Sequence, residues 1–391
     1  MMSAVGLAAL LWWEHRTEVT LPAPTGPFAV GRAIYDWADE NVLDTLAPVP
    51  GTKRELLVWI WYPASPDSSA AIDDYMPAAL RTAIARQGGV LLTQFLTRDL
   101  SKVHAHSLRN ADVSPRQRSY PVAILRAGAS LEVVSYSTLA EDLASQGYLV
   151  VGLDAPYRTR VVAFPDGRVM TRIPQNNPEF CEEKGGLEQA QCVDKLLMAW
   201  TADIGFVLDR LERLNHADPS GRFTGRIDMT RVGVFGHSFG GAQAAQFCSR
   251  DARCKAGIDV DGALHGSVIQ AGIHTPFLFL LSSQGDFSSD AEVRQILADI
   301  QSVYDHLPAE GRLRAVIRGA DHFTFTDDGA LLKSGVFRGL FRLFGKLGIA
   351  GRRQLAVTAY CVHSFFDAYL KGDSTRPHIP SPLYPEIQVP R

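Results

Sequence analysis

The chain has 391 residues, 46% hydrophobic and 21% charged, with a formal net charge of −3. This is the balance of a soluble globular chain, long enough for one large α/β domain with insertions. It has no basic stripe, so nucleic acid is set aside as a partner, and it shows neither a Walker-type phosphate loop nor a CxxC pair.

Residues 1–20 open with an apolar run, Ala4 to Trp13, about half the length that spans a bilayer. The run lacks a basic flank and a clear cleavage site. It reads as the remnant of an export signal or anchor, or as a helix packed on the body. From Pro22 to Ser65, FAVGRAIYDW and ELLVWIWYPAS favour β-branched and aromatic residues and predict two strands. Residues 66–118 are polar and partly helical (YMPAALRTAIARQ), expected as an insertion over the core. Then YPVAILRAG predicts a buried strand, VSYSTLAEDLASQG a helix ended by Gly147, and YLVVGLDAP another buried strand. Val193 to Asn215 carries apolar residues at helical spacing. RVGVFG, a small-residue helix, CKAGIDV, TPFLFLLSS, a helix through AEVRQILADIQSVY and the strand RLRAVIRG follow. A last helix, roughly Arg352 to Leu370, ends in KGD before a tail at 373–391. Near-continuous apolar strands between helices imply a single α/β domain over 21–372. Its central sheet is expected to be mostly parallel, with helices on both faces.

The five cysteines cannot all pair within the chain, and their spacing does not suggest zinc. Cys181 with Cys192, and Cys248 with Cys254, are close enough to bridge in an exported protein, while Cys361 reads as a buried thiol. An exported, periplasmic or membrane-associated location is therefore expected over a cytoplasmic one.

Gly236-His237-Ser238-Phe239-Gly240 fits G-x-S-x-G, with a buried strand before it and a small-residue helix after it. A sharp strand-to-helix turn leaves no room for Cβ atoms beside the serine, and it lifts Oγ above the sheet edge at a helix N-terminus. Ser238 is the candidate nucleophile, and it needs a base and an orienting acid, which follow in the order acid, then histidine. His322 stands four residues beyond Arg318, in the loop after the last core strand, and is the candidate base. His237, inside the elbow, reads as a packing residue; His265, His274, His306 and His363 lack a comparable position. Asp261 lies directly beyond the strand that follows the nucleophile helix, and Asp286 lies beyond the next one. Pattern alone leaves both open as the acid, whereas Asp259 lies within its strand and points elsewhere. Two backbone N–H groups should form the oxyanion hole, one from Phe239 and one from near Ala129, in the loop after YPVAILRAG.

LPAPTGPFAVG, GHSFGGA, IDVDGA and the ADH loop resemble the platelet-activating factor acetylhydrolase group of α/β hydrolases, from about Leu21 to Gly372. The resemblance implies the α/β-hydrolase fold with inserted lid segments and gives the acid's role to Asp261. It likewise implies Ser238 as nucleophile, His322 as base and Ala129 with Phe239 as oxyanion donors. The chain departs from the group in having Arg126-Ala127-Gly128 where a His-Gly pair is usual. Residues 157–192, with hairpin-like VVAFPDGRVM and two cysteines, have no clear match in the animal enzymes and are expected to form a lid or acyl-pocket wall. The final helix is also similar to that of dienelactone-hydrolase-like polyesterases. The expected activity is cofactor-independent, metal-free hydrolysis of short acyl esters through an acyl-enzyme. The expected partner is a small-molecule ester, amphiphilic in character, with membrane contact through the N-terminus. The alternatives are a phthalate-ester or polyester hydrolase or lactonase on the same machinery, and an inactive hydrolase-like binding protein.

Overall fold

The two aromatic-rich runs near the N-terminus form long strands that pair with each other. After α1 (Ala4–Arg16) and the short β1 (Val19–Thr20), β2 (Ala29–Leu43) lies antiparallel to β3 (Lys53–Ala64). Next come β4 (Ile72–Asp74), α2 (Ala78–Leu91) and β5 (Val103–Arg109). The strand–helix alternation continues with β6 (Tyr120–Arg126), α3 (Ser137–Ser145), β7 (Leu149–Asp154), the hairpin β8 (Val161–Ala163) and β9 (Val169–Thr171), α4 (Pro178–Glu182) and α5 (Gly186–His216). It is completed by β10 (Ile227–His237), α6 (Phe239–Arg250), β11 (Cys254–Val260), α7 (Val268–Ala271), β12 (Phe277–Ser282) and α8 (Ala291–His306). Last are β13 (Arg312–Ile317), α9 (Asp328–Leu331), α10 (Gly351–Phe366) and β14 (Ile387–Gln388). This computed structural model describes residues 4–65, 69–91, 97–283, 291–333, 348–372 and 376–390.

One sheet holds twelve of these strands, in the order β1-β5-β2-β3-β7-β6-β10-β11-β12-β13-β14 with β4 beside β5. The run from β7 through β6, β10, β11 and β12 to β13 is parallel throughout. Side chains alternate across the pleat, so each strand feeds two cores. In β6, Ala123 and Leu125 join α3 and α10 on one face, where Leu139, Leu143, Leu355 and Phe366 pack. Val122 and Ile124 face the other side, against Ile204 and Leu208 of α5 and Ala244 and Phe247 of α6. A sheet covered on both faces explains why its central strands read as continuous apolar runs.

The stretch 66–118 departs from the expectation of a purely overlying insertion, because β5 enters the main sheet between β1 and β2. Its inward positions are Val103, Ala105 and Ser107, alternating with the more exposed His104, His106 and Leu108. Small inward side chains hide the period-2 signal that larger ones would have displayed.

The N-terminal apolar run forms α1, which is tied to the body: Lys333 Nζ donates to Leu11 O at 2.8 Å and Arg98 to Glu14 O at 3.0 Å. Trp12 and Trp13 are exposed on it. Among the described residues, no helix is long and apolar enough to cross a membrane.

Cys181–Cys192 and Cys248–Cys254 are disulfides, and Cys361 is a buried free thiol. The first bridge ties α4 to α5 within a third apolar cluster, where Leu197 and Trp200 pack with Phe239 and Ala129. The same region is anchored by the buried Arg158, which pairs with Asp203 at 2.8 Å and Asp44 at 3.2 Å. Removing one member of such a group strands a buried charge, at a cost of about 3–5 kcal/mol.

Candidate active site

Parallel strands deliver their C-terminal ends to a single edge of the sheet. The residues that follow β6, β10, β11 and β13 there are Ala127–Ser130, Ser238, Asp261 and the loop bearing His322. This is the edge at which open α/β sheets assemble their sites.

Ser238 separates β10 from α6 with φ 57° and ψ −126°. A serine there is strained, and surrounding structure must hold it. Its N–H donates to Val260 O at 2.9 Å, and Gly241 N–H donates to Ser238 O at 2.8 Å. The flanking glycines are steric requirements. A Cβ on Gly236 would lie 2.3 Å from Gly240 O, and one on Gly240 would lie 2.3 Å from Arg126 O. The turn thus packs directly on the loop that leaves β6.

Asp261 follows β11, also at positive φ (55°), and its carboxylate has two separate partners. Oδ1 accepts from Ser282 N–H at 2.7 Å, and Oδ2 pairs with His322 Nδ1 at 2.8 Å. Burial alone would raise its proton affinity. The hydrogen bond from His322, that ring's charge and the Ser282 donors outweigh it and hold the carboxyl below the ordinary aspartate range. The Asp261 side chain is 2% exposed while His322 is 37% exposed, so the pair faces outward through its imidazole. The His322 loop is braced by Gln354 of α10, which accepts from Asp321 N–H at 3.0 Å and donates to Asp321 O at 2.8 Å.

The structure therefore brings Asp261 and His322 into direct contact, with Ser238 on the same rim. His237, next to the serine, packs its ring 4.5 Å from that of His322. Among the described residues, Ser238 Oγ has no hydrogen-bond partner. Asp286, the alternative acid, lies outside the described residues. Asp259 is buried with Oδ1 on Gly262 N–H at 2.9 Å, beneath the elbow, and burial pushes its carboxyl up to about 8. His363 pairs with Asp142 at 3.1 Å, His306 with Ser302 O at 2.7 Å, and His265 lies 6.2 Å from the Phe239 ring, so none of these joins the Asp261–His322 pair.

Phe239 is the first residue of α6, where a helix leaves its N–H without an internal acceptor. Ala129 sits in the turn closed by Leu131 N–H to Gly128 O at 3.2 Å. A Cβ on Gly128 would lie 3.4 Å from Ser238 Cβ, so this turn abuts the serine. Arg126 points away from the rim into the interior, donating to Gln243 Oε1 at 2.7 Å and Leu153 O at 3.2 Å. Ser130, at φ 64°, donates its hydroxyl to Asn177 at 2.5 Å and accepts from Arg172 at 2.5 Å. Residues 157–192 thereby hold the polar side of the turn, with Cys192 and Trp200 in the apolar cluster that contains Ala129. Sequence reading missed Gln354, Asn177 and Arg172. They are lone polar residues with no local pattern to mark them.

Comparison with known proteins points one way. The family model for platelet-activating factor acetylhydrolase, isoform II, matches residues 14–163 and 172–360. The break at 164–171 takes in the turn of the β8–β9 hairpin and β9 itself. A probable 1-alkyl-2-acetylglycerophosphocholine esterase of Arthroderma benhamiae is 26% identical over 94% of this chain and 92% of its own. The platelet-activating factor acetylhydrolase of Cavia porcellus is 26% identical over 53% of this chain, and the match spans about half (48%) of that relative. Among solved structures, a ferulic acid esterase from Streptomyces cinnamoneus is similar, with a TM-score of 0.74, 26% identity, and coverage of 96% of this chain and 100% of its own.

Proposed function

The chain belongs to the platelet-activating factor acetylhydrolase, isoform II, family and is a carboxylic ester hydrolase of the α/β-hydrolase fold, and on that premise we propose that Ser238, His322 and Asp261 act as its catalytic triad. Ser238 Oγ attacks the ester carbonyl while His322 Nε2 takes its proton. Asp261 fixes the imidazole tautomer with the proton on Nδ1 and stabilises the cation that forms. The N–H groups of Ala129 and Phe239 bind the oxyanion. Collapse expels the alcohol, protonated by His322, and leaves an acyl-enzyme. Water, activated by the same imidazole, then releases the carboxylic acid.

The observation carrying this reading is the 2.8 Å His322–Asp261 pair on the rim that presents the strained Ser238. Proton transfer further requires the hydroxyl to come within reach of Nε2, a contact that commonly tightens only once substrate is bound. Short acyl esters on an amphiphilic alcohol are the proposed substrates, supported by the acetyl esters named for two of the relatives.

The test is Ser238→Ala against p-nitrophenyl acetate and butyrate. A loss of kcat on the order of 10⁴-fold or more is expected; activity within a few-fold of the parent rejects the assignment. A panel of acetylated ether phospholipid, dialkyl phthalate and feruloyl ester then ranks the substrate classes.

A further inference from the structure

We propose that Tyr136 and His237 are positioning residues for the proposed chemistry: together they pin the oxyanion turn to the nucleophile elbow and hold the His322 ring in place. This rests on the roles given above to Ser238, His322 and Ala129.

Gly128 N–H donates to Tyr136 Oη at 3.0 Å, and Tyr136 Oη lies 2.8 Å from His237 Nδ1. Gly128 immediately precedes the oxyanion donor Ala129, and His237 immediately precedes Ser238. Two hydrogen bonds through one phenol therefore connect the two parts of the oxyanion hole, independently of the sheet ladder. The packing is close. A Cβ on Gly128 would stand 3.3 Å from Tyr136 Oη and 3.4 Å from His237 Nδ1. Tyr136 cannot drift, because it is fully buried and the next two residues donate their N–H groups to Asp327, each at 3.0 Å.

Proton placement follows from the surroundings. Burial, with the neighbouring His322 adding to it, pushes His237 down to about 3, so its ring is neutral at working pH. Burial pushes the Tyr136 phenol up, so it keeps its proton. The phenol then donates to His237 Nδ1 and accepts from Gly128, satisfying three buried groups at once. The other His237 nitrogen, Nε2, has the His322 backbone beside it but meets no acceptor in good hydrogen-bond geometry among the described residues. A buried polar atom left unpaired is costly. What the ring gains there is packing against His322, 4.5 Å away, and Phe325, 5.6 Å away.

The aim of an oxyanion donor is set by such supports, and small errors of aim weaken the transition state more than substrate binding. Tyr136→Phe keeps the ring and removes only the shared hydroxyl. The expected result is a roughly ten- to hundredfold fall in kcat on p-nitrophenyl acetate with KM within about threefold. A trifluoromethyl ketone, which forms the tetrahedral adduct, should weaken by the same factor as kcat/KM. His237→Asn retains an acceptor for the phenol and deletes the ring beside His322. It should lower kcat, and the double variant should lose less than the product of the two single losses. The proposal is overturned if Tyr136→Phe, folded by its unfolding temperature, keeps kcat within twofold, or loses kcat with the ketone's affinity intact. If Tyr136→Phe does not fold, parental kcat in His237→Asn overturns it. An active Ser238→Ala instead sinks the underlying triad, whereas an inactive Ser238→Ala beside a fully active Tyr136→Phe sinks this inference alone.

Discussion

Asp261→Asn isolates the orienting role of the acid, because its two oxygens have distinct duties. Oδ1 accepts from Ser282 N–H at 2.7 Å and Oδ2 faces His322 Nδ1 at 2.8 Å. The asparagine oxygen will keep the Ser282 bond, since turning it would oppose two N–H donors. Its amide NH₂ then faces Nδ1 and forces the imidazole proton onto Nε2, the atom that must accept the Ser238 proton. The tautomer is wrong, and the imidazolium loses its counter-charge. Losses of about 10⁴ in kcat accompany this change in triads, or about 5.5 kcal/mol of transition-state stabilisation. The assay is steady-state hydrolysis of p-nitrophenyl butyrate, with the unfolding temperature as a control for folding. KM should change far less than kcat. A folded Asp261→Asn enzyme with kcat within tenfold of the parent would refute the reasoning and return attention to Asp286.

Two further outcomes are expected. Asp259, buried and pushed up to about 8, keeps its proton in the folded chain while the unfolded chain loses it above the ordinary aspartate range. Stability should therefore decline by about 1.4 kcal/mol per pH unit through this group between roughly pH 4 and 8. Asp259→Asn should remove that slope, so urea unfolding will show its advantage growing from pH 5 to pH 8; a pH-independent difference contradicts the assignment. Replacing Cys181 and Cys192 by serine should cost about 2–3 kcal/mol in denaturant unfolding. It should also lower kcat, because the bridged segment holds the turn around Ala129 and Ser130; unchanged kcat would detach that segment from the chemistry.

The central parallel strands were legible because burial on both faces makes them unbroken apolar runs, and the elbow because its steric demands fall within a few consecutive residues. His322 was legible by its place after the last parallel strand. Asp261 was not separable from Asp286 by pattern, since both follow strands of the same kind; the family resemblance gave the role to Asp261, and the fold sets that residue against His322. β5 escaped notice because Ala105 and Ser107 occupy its inward positions. Tyr136, Gln354 and Asn177 were illegible as supports for a different reason. Each acts on a partner brought near by the sheet, and a single polar residue carries no periodicity.

The central claim is that Ser238 forms the covalent intermediate, and mapping the adduct of a fluorophosphonate by peptide mass spectrometry tests it most directly. Stoichiometric modification of Ser238 that tracks loss of esterase activity is the predicted result. Complete inactivation with the label on another residue, or full activity in protein phosphonylated at Ser238, would contradict it.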